Sequence, residues 1–153
     1  MTGAAHDGFK ARILVVDDNS FGLSARKSVL EELGHEIHTC SCPREALELC
    51  KRSPFDVIVT DYRMPHMNGV EFIGNLREQG VQVPVVLVSG FTDTLGLNEQ
   101  NTGADVVLQK SAHEVNHLIR AINRLLRKQL LKKPAGKQKS SKPVSSRSAD
   151  RQI

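Results

Sequence analysis

Four short apolar runs in this chain each end at a residue able to carry chemistry. Ile13-Leu14-Val15-Val16 leads into Asp17-Asp18, and Val57-Ile58-Val59 into Thr60-Asp61. Val85-Val86-Leu87-Val88 leads into Ser89-Gly90, and Val106-Val107-Leu108 stops just short of Lys110. The runs are too short for buried helices, rich in β-branched residues, and without the polar alternation of a strand that keeps one face wet. A strand apolar on both faces must be covered on both. That restricts the chain to a mostly parallel sheet between helical layers, since parallel neighbours need long crossovers, usually helices.

The intervening segments carry the expected helices. Phe21, Ala25, Val29 and Leu33 recur every four residues and read as one buried face, closed by Gly34 in the position of a C-terminal glycine. His35 to Cys40 reads as a weaker strand. Pro43 suits the first position of a helix bearing Ala46, Leu47 and Cys50. Asn68 is placed to cap a helix with Val70, Ile73 and Leu76, ended by Gly80. Phe91 to Asn101 is only weakly helical, with Gly96 inside it. Ser111 and Glu114 have the spacing of a capping box, ahead of the stripe Val115, Leu118, Ile119, Ile122, Leu125 and Leu126. Five strands alternating with five helices predict an α/β domain with right-handed crossovers.

In such a sheet, ligands bind beyond the carboxyl ends of the strands. Asp17, Asp18, Asp61, Ser89 and Lys110 all stand at those ends, so three carboxylates, a hydroxyl and an ammonium should meet on one rim. Clustered carboxylates repel unless a cation joins them. A hard divalent ion with oxygen ligands answers this, and Mg²⁺ fits best because it takes one or two carboxylates, waters and phosphate oxygens. With Lys110 and the Ser89 hydroxyl beside it, the set has the parts of a phosphoryl-transfer site. Neither G-x-x-x-x-G-K-[ST] nor G-x-G-x-x-G occurs, so no nucleotide cradle is visible. A carboxylate is the natural acceptor, with the donor brought by a partner. His38, Cys40 and Cys42 share a strand face but match no usual zinc spacing.

The segments ILVVDDN, DVIVTDYRMPHMNGVEF, VVLVSG and LQK, in that order and spacing, resemble the receiver domain of two-component response regulators, over about Arg12 to Leu131. The resemblance implies a flavodoxin-like fold, (βα)5, doubly wound, with a parallel five-stranded sheet in the order 2-1-3-4-5. It implies that Asp61 is the phosphoacceptor, taking phosphorus from a phosphohistidine of a sensor histidine kinase or a histidine phosphotransfer protein. It further implies Mg²⁺ held by Asp17, Asp18, Asp61 and the backbone carbonyl of Arg63, with Lys110 and Ser89 contacting the phosphoryl oxygens. Two alternatives fit less well. A receiver-fold adaptor that is never phosphorylated would not need the acid pair, acceptor and lysine together. A flavin site would need a phosphate loop where Asp17-Asp18 would repel one.

The sequence departs from the family in places. Ser111 follows Lys110 where proline is usual. Val107 occupies the position of an aromatic residue that swings on phosphorylation, and its β-branched side chain has no comparable rotamer change. Arg63 and Phe91 stand where the family tunes phosphoryl lifetime, and slow autodephosphorylation is expected.

Charge separates the body from its ends. Residues 132–153 carry seven Lys or Arg against Asp150, while the whole chain nets +4, which leaves the rest at −2. A mildly acidic body does not read as a nucleic-acid surface. The expected organisation is a disordered segment over 1–10, a receiver over 11–131, and a disordered basic Lys/Ser/Pro tail over 132–153, suited to contact with anionic surfaces. No DNA-binding or enzymatic output domain is expected after Leu131, so signalling would run through a downstream target protein or a phosphorelay. No membrane span or secretory h-region is visible, and three cysteines fit a reducing compartment; the expected location is cytoplasmic.

Overall fold

The computed structural model describes residues 10–90 and 95–132. The expected disordered ends, 1–10 and 132–153, lie outside the described residues except for Lys10 and for Lys132, which the structure places in a helix; Phe91 lies outside them as well. Five strands, β1 (Arg12–Val16), β2 (Glu36–Cys40), β3 (Val57–Asp61), β4 (Val85–Ser89) and β5 (Val106–Gln109), form one parallel sheet in the order β2-β1-β3-β4-β5. The helices are α1 (Ser20–Glu32), α2 (Pro43–Arg52), α3 (Gly69–Glu78), α4 (Glu99–Thr102) and α5 (Glu114–Lys132). The apolar runs predict the parallel sheet between helices, and the flavodoxin-like strand order is the one that the family resemblance implies.

Side-chain alternation along the strands divides the core into two layers. Ile13, Val15, Val57, Val59, Val86 and Val88 pack with Leu30 of α1 and with Leu118, Ile122, Leu125 and Leu126 of α5. Leu14, Val16, Ile58, Val85 and Leu87 pack with Ala46 and Leu47 of α2 and with Phe72, Ile73 and Leu76 of α3. Both faces of β3 and β4 are therefore buried along their full length, which accounts for the unbroken apolar runs.

Two local expectations need correction. In α1, Phe21 is 86% exposed and Ala25 is also exposed; the inward stripe is Leu23, Arg26, Leu30 and Leu33. A strict four-residue repeat drifts around a 3.6-residue helix, whereas this 3-4-3 spacing stays on one face. A charged residue inside that stripe hides it from a reading of hydrophobicity. The second correction is at the start of α5. Ser111 Oγ accepts from the His113 N–H at 3.1 Å, but the Glu114 carboxylate turns to Arg26 (Nε–Oε2 3.0 Å) and closes no capping box. The expected cap does form around Asn68, whose side chain accepts from the Glu71 N–H while the Glu71 carboxylate accepts from the Asn68 N–H, both at 2.9 Å.

Candidate functional site

Sheet register sets the site. Val16 pairs with Thr60, so Asp17 and Asp61 extend neighbouring strands from the same level. Asp61 pairs with Val88, and Ser89 with Gln109, which places Ser89 and Lys110 at the next step along the same rim. The Lys110 N–H donates to the Ser89 carbonyl at 2.9 Å and ties the two strand ends together. Asp17 and Asp61 share the parity of Ile13, Val15, Val57 and Val59, and so face the layer built by α1 and α5.

Every predicted site residue lines one open cleft of about 240 Å³: Asp17, Asp18, Asp61, Arg63, Ser89 and Lys110, with Asn19 and Gly90. One oxygen from each of Asp17, Asp18 and Asp61 lies within 4.8 Å of the others. Asp17 and Asp61 are buried, at 1% and 4% exposure, Ser89 is buried at the wall, and Asp18 is exposed. Lys110 Nζ stands 2.6 Å from Asp61 Oδ1. This close ion pair offsets part of the carboxylate's charge, and an ionised carboxylate keeps lone pairs for further partners.

Burial drives the Asp61 carboxyl above the usual carboxylate range. The Lys110 ammonium pulls it back, the neighbouring Asp17 charge pushes it up again, and Arg26 lowers it. Lys110 and Arg26 thus relieve only part of the cost of this buried acid, which leaves room for a further cation. The donors present suit a hard divalent ion: they are carboxylate oxygens, close together, partly open to water, with acceptor capacity left on Asp61. Mg²⁺, a hard cation, is compatible with this set.

Two residues of the site escape a reading of the sequence. Arg26 reaches from α1 to Asp17 (Nη1–Oδ2 2.8 Å), and Glu114 reaches from α5 to Arg26 (Oε2–Nη2 2.8 Å). The available signal is the 3-4-3 stripe through Arg26. Of the residues read as one strand face, His38 and Cys40 lie in β2, whereas Cys42 lies beyond it, just before α2. His38 Nε2 lies 2.7 Å from Glu36, and Cys40 Sγ donates to the Cys42 carbonyl at 3.2 Å. Burial raises the Cys40 thiol and pushes Cys50 up to about 11, which makes neither a ready nucleophile.

Comparison with known proteins places this geometry. A family model described as the response regulator receiver domain matches residues 13–123. The alkaline phosphatase synthesis transcriptional regulatory protein PhoP of Bacillus subtilis is 34% identical over 119 residues, covering 74% of this chain and 48% of its own length. The hydrogenase transcriptional regulatory protein HoxA of Cupriavidus necator is 37% identical over 94 residues, 59% of this chain and 19% of its own. The chain thus spans half or less of these curated relatives. Among solved structures, a response regulator receiver domain protein from Clostridium thermocellum superposes with a TM-score of 0.71 at 29% identity, covering 80% of this chain and 99% of that one. The response regulator TrrA of Thermotoga maritima, solved with Mg²⁺-BeF, gives 0.67 at 29% identity over 75% and 98%. With the sheet order, the acidic rim and the family match in agreement, the chain belongs to the response regulator receiver domain family of two-component signalling.

Proposed function

We propose that this chain accepts a phosphoryl group on Asp61 in a Mg²⁺-dependent reaction, from a phosphohistidine of a sensor histidine kinase or a histidine phosphotransfer protein. The reading rests on one observation: three strand-end carboxylates within 4.8 Å of each other, with an ammonium 2.6 Å from Asp61. Asp17, Asp18, Asp61 and the Arg63 backbone carbonyl would hold the cation. When bound, it would neutralise phosphoryl oxygens and the acidic cluster together. The Asp61 carboxylate attacks phosphorus, the phosphorus–nitrogen bond of the donor breaks, and the imidazole leaves with the bond's electron pair and takes a proton. Lys110 then faces the new acyl phosphate, and Ser89 donates its hydroxyl to a phosphoryl oxygen.

Incubating the protein with Mg²⁺ and acetyl phosphate and reading intact mass tests this. A Mg²⁺-dependent gain of one phosphoryl group is expected, absent in Asp61→Ala. Equal labelling of that variant would place the acceptor elsewhere, and no labelling of the wild type would favour an adaptor that keeps only the fold.

The output would be a protein–protein contact with a downstream target, or onward transfer in a relay. No helix among the described residues is long and apolar enough to cross a membrane, and a cytoplasmic location follows from the proposed partners. The basic segment 132–153 would add contact with anionic surfaces. Val107 sits half-buried in β5, its N–H donating to the Glu99 carboxylate at 2.9 Å. Phosphorylation should therefore shift amide resonances around Ser89 more than at Val107. Larger shifts along β5 would show that a β-branched residue carries the readout after all.

A further inference from the structure

Arg26 is 4% exposed, and its guanidinium lies beside the acidic rim. A buried guanidinium is tolerated only when its charge and donors are met. Here two carboxylates from distant parts of the chain meet them: Asp17 at 2.8 Å, and Glu114 at 2.8 and 3.0 Å. The surrounding backbone is shaped for this contact. Gly22 of α1 has no side chain, and a Cβ there would stand 2.7 Å from Asp17 Oδ2, the oxygen that Arg26 holds. The other oxygen, Oδ1, accepts from the Asn19 N–H at 3.0 Å. Asp17 is thereby fastened at both oxygens from the side of α1, whereas Asp18 is exposed.

We propose that Arg26 tunes the cation site through its charge: shared between Asp17 and Glu114, it sets how strongly the acidic cluster draws a divalent ion. This rests on the reading of that cluster as a Mg²⁺ site. The connected charges are Asp17, Asp18, Asp61 and Glu114 against Lys110 and Arg26, a net of −2. Arg26 lowers the pull of the cluster on a cation, and Glu114 restores part of it from behind. Removing either charge therefore shifts affinity in opposite directions. A purely structural staple between α1 and α5 would behave otherwise, because losing either end would loosen Asp17 alike and shift affinity the same way or not at all. The first turn of α5 is coupled to the rim through the same contact. By reciprocity, whatever pulls Glu114 away should weaken cation binding as much as cation binding weakens that pull.

Isothermal titration calorimetry with Mg²⁺ on the full chain, without phosphodonor, tests the proposal. Arg26→Met should bind Mg²⁺ roughly fivefold tighter and Glu114→Gln roughly threefold weaker, the scale of one unit charge a few ångströms away in a partly screened site. Arg26→Lys, which keeps the charge, should stay near the wild type. Circular dichroism melts establish that each variant folds. If Arg26→Met does not fold, Glu114→Gln and Arg26→Lys still decide, since unchanged affinity in Glu114→Gln or tighter binding in Arg26→Lys overturns the proposal. Shifts in the same direction for Arg26→Met and Glu114→Gln overturn it too. A wild type that binds Mg²⁺ while all variants match it sinks this inference alone, whereas no heat from any of the proteins sinks the cation site itself.

Discussion

Asp61→Asn should be more stable than the wild type in Mg²⁺-free buffer at neutral pH, by on the order of 1–2 kcal/mol, while taking up no phosphoryl group. The wild-type carboxylate is buried next to Asp17, and those two effects raise its pKa above the ordinary value despite Lys110 and Arg26. A carboxyl whose pKa is higher folded than unfolded binds more protons in the folded state, so stability falls as pH rises through that interval. The penalty is complete above the folded pKa and absent below the unfolded one. The advantage of Asn should accordingly shrink as pH is lowered through the raised pKa. Lys110, left without its partner, is 39% exposed at the side chain, and water takes up its charge. Saturating Mg²⁺ should reverse the order, because a ligand that binds the folded state stabilises it by mass action and the variant lacks one of the carboxylates proposed to hold the ion. Urea melts at neutral and acidic pH, with and without Mg²⁺, check all three arms. A variant less stable than the wild type at neutral pH without Mg²⁺ would mean that the Lys110 ion pair outweighs burial and repulsion.

The strands and the rim are legible in the sequence because each is a local statement. A buried parallel strand is apolar on both faces, and four such runs stand out residue by residue. Once the sheet is parallel, their carboxyl ends share an edge, and Asp17, Asp61, Ser89 and Lys110 must meet there. The inward face of α1 is not legible, because its middle position is an arginine. Arg26 is buried through partners 9 and 88 residues away, a pairing that no window along the chain contains. Glu114 defeats a local reading for the same reason. Its spacing from Ser111 is that of a capping box, but a buried guanidinium across the α1–α5 seam competes for its carboxylate, and a charge-assisted pair outweighs a backbone amide near water.

The loop between β3 and α3 carries the second large effect. Gly69 opens α3 with its backbone against β3, and its N–H donates to the Tyr62 carbonyl at 2.7 Å. A Cβ at Gly69 would fall 2.6 Å from the Asp61 carbonyl oxygen, 2.6 Å from Leu87 Cδ1 and 3.0 Å from Tyr62 Cα. Two of these three are backbone atoms, at the end of a strand locked between β1 and β4. The Tyr62 N–H itself donates to the Val88 carbonyl at 2.9 Å. Relief can come only by lifting α3 off the sheet, which opens the packing of Phe72, Ile73 and Leu76, or by shifting the peptide that carries Asp61. Gly69→Ala should therefore cost about 2–3 kcal/mol, in the range of overpacking a well-filled interior. It should also slow Asp61 phosphorylation by acetyl phosphate, since the acceptor moves relative to Asp17 and Lys110. Gly74, in the same helix, is exposed, and a Cβ there would meet nothing within 4 Å. Gly74→Ala should instead stabilise by about 0.5–1 kcal/mol through helix propensity alone and leave phosphorylation unchanged. Opposite signs in urea unfolding for one methyl group placed twice in one helix would separate close approach from propensity. Equal signs would mean that α3 is free to move away from the acceptor strand, and that the register bringing Asp61 to the rim does not depend on it.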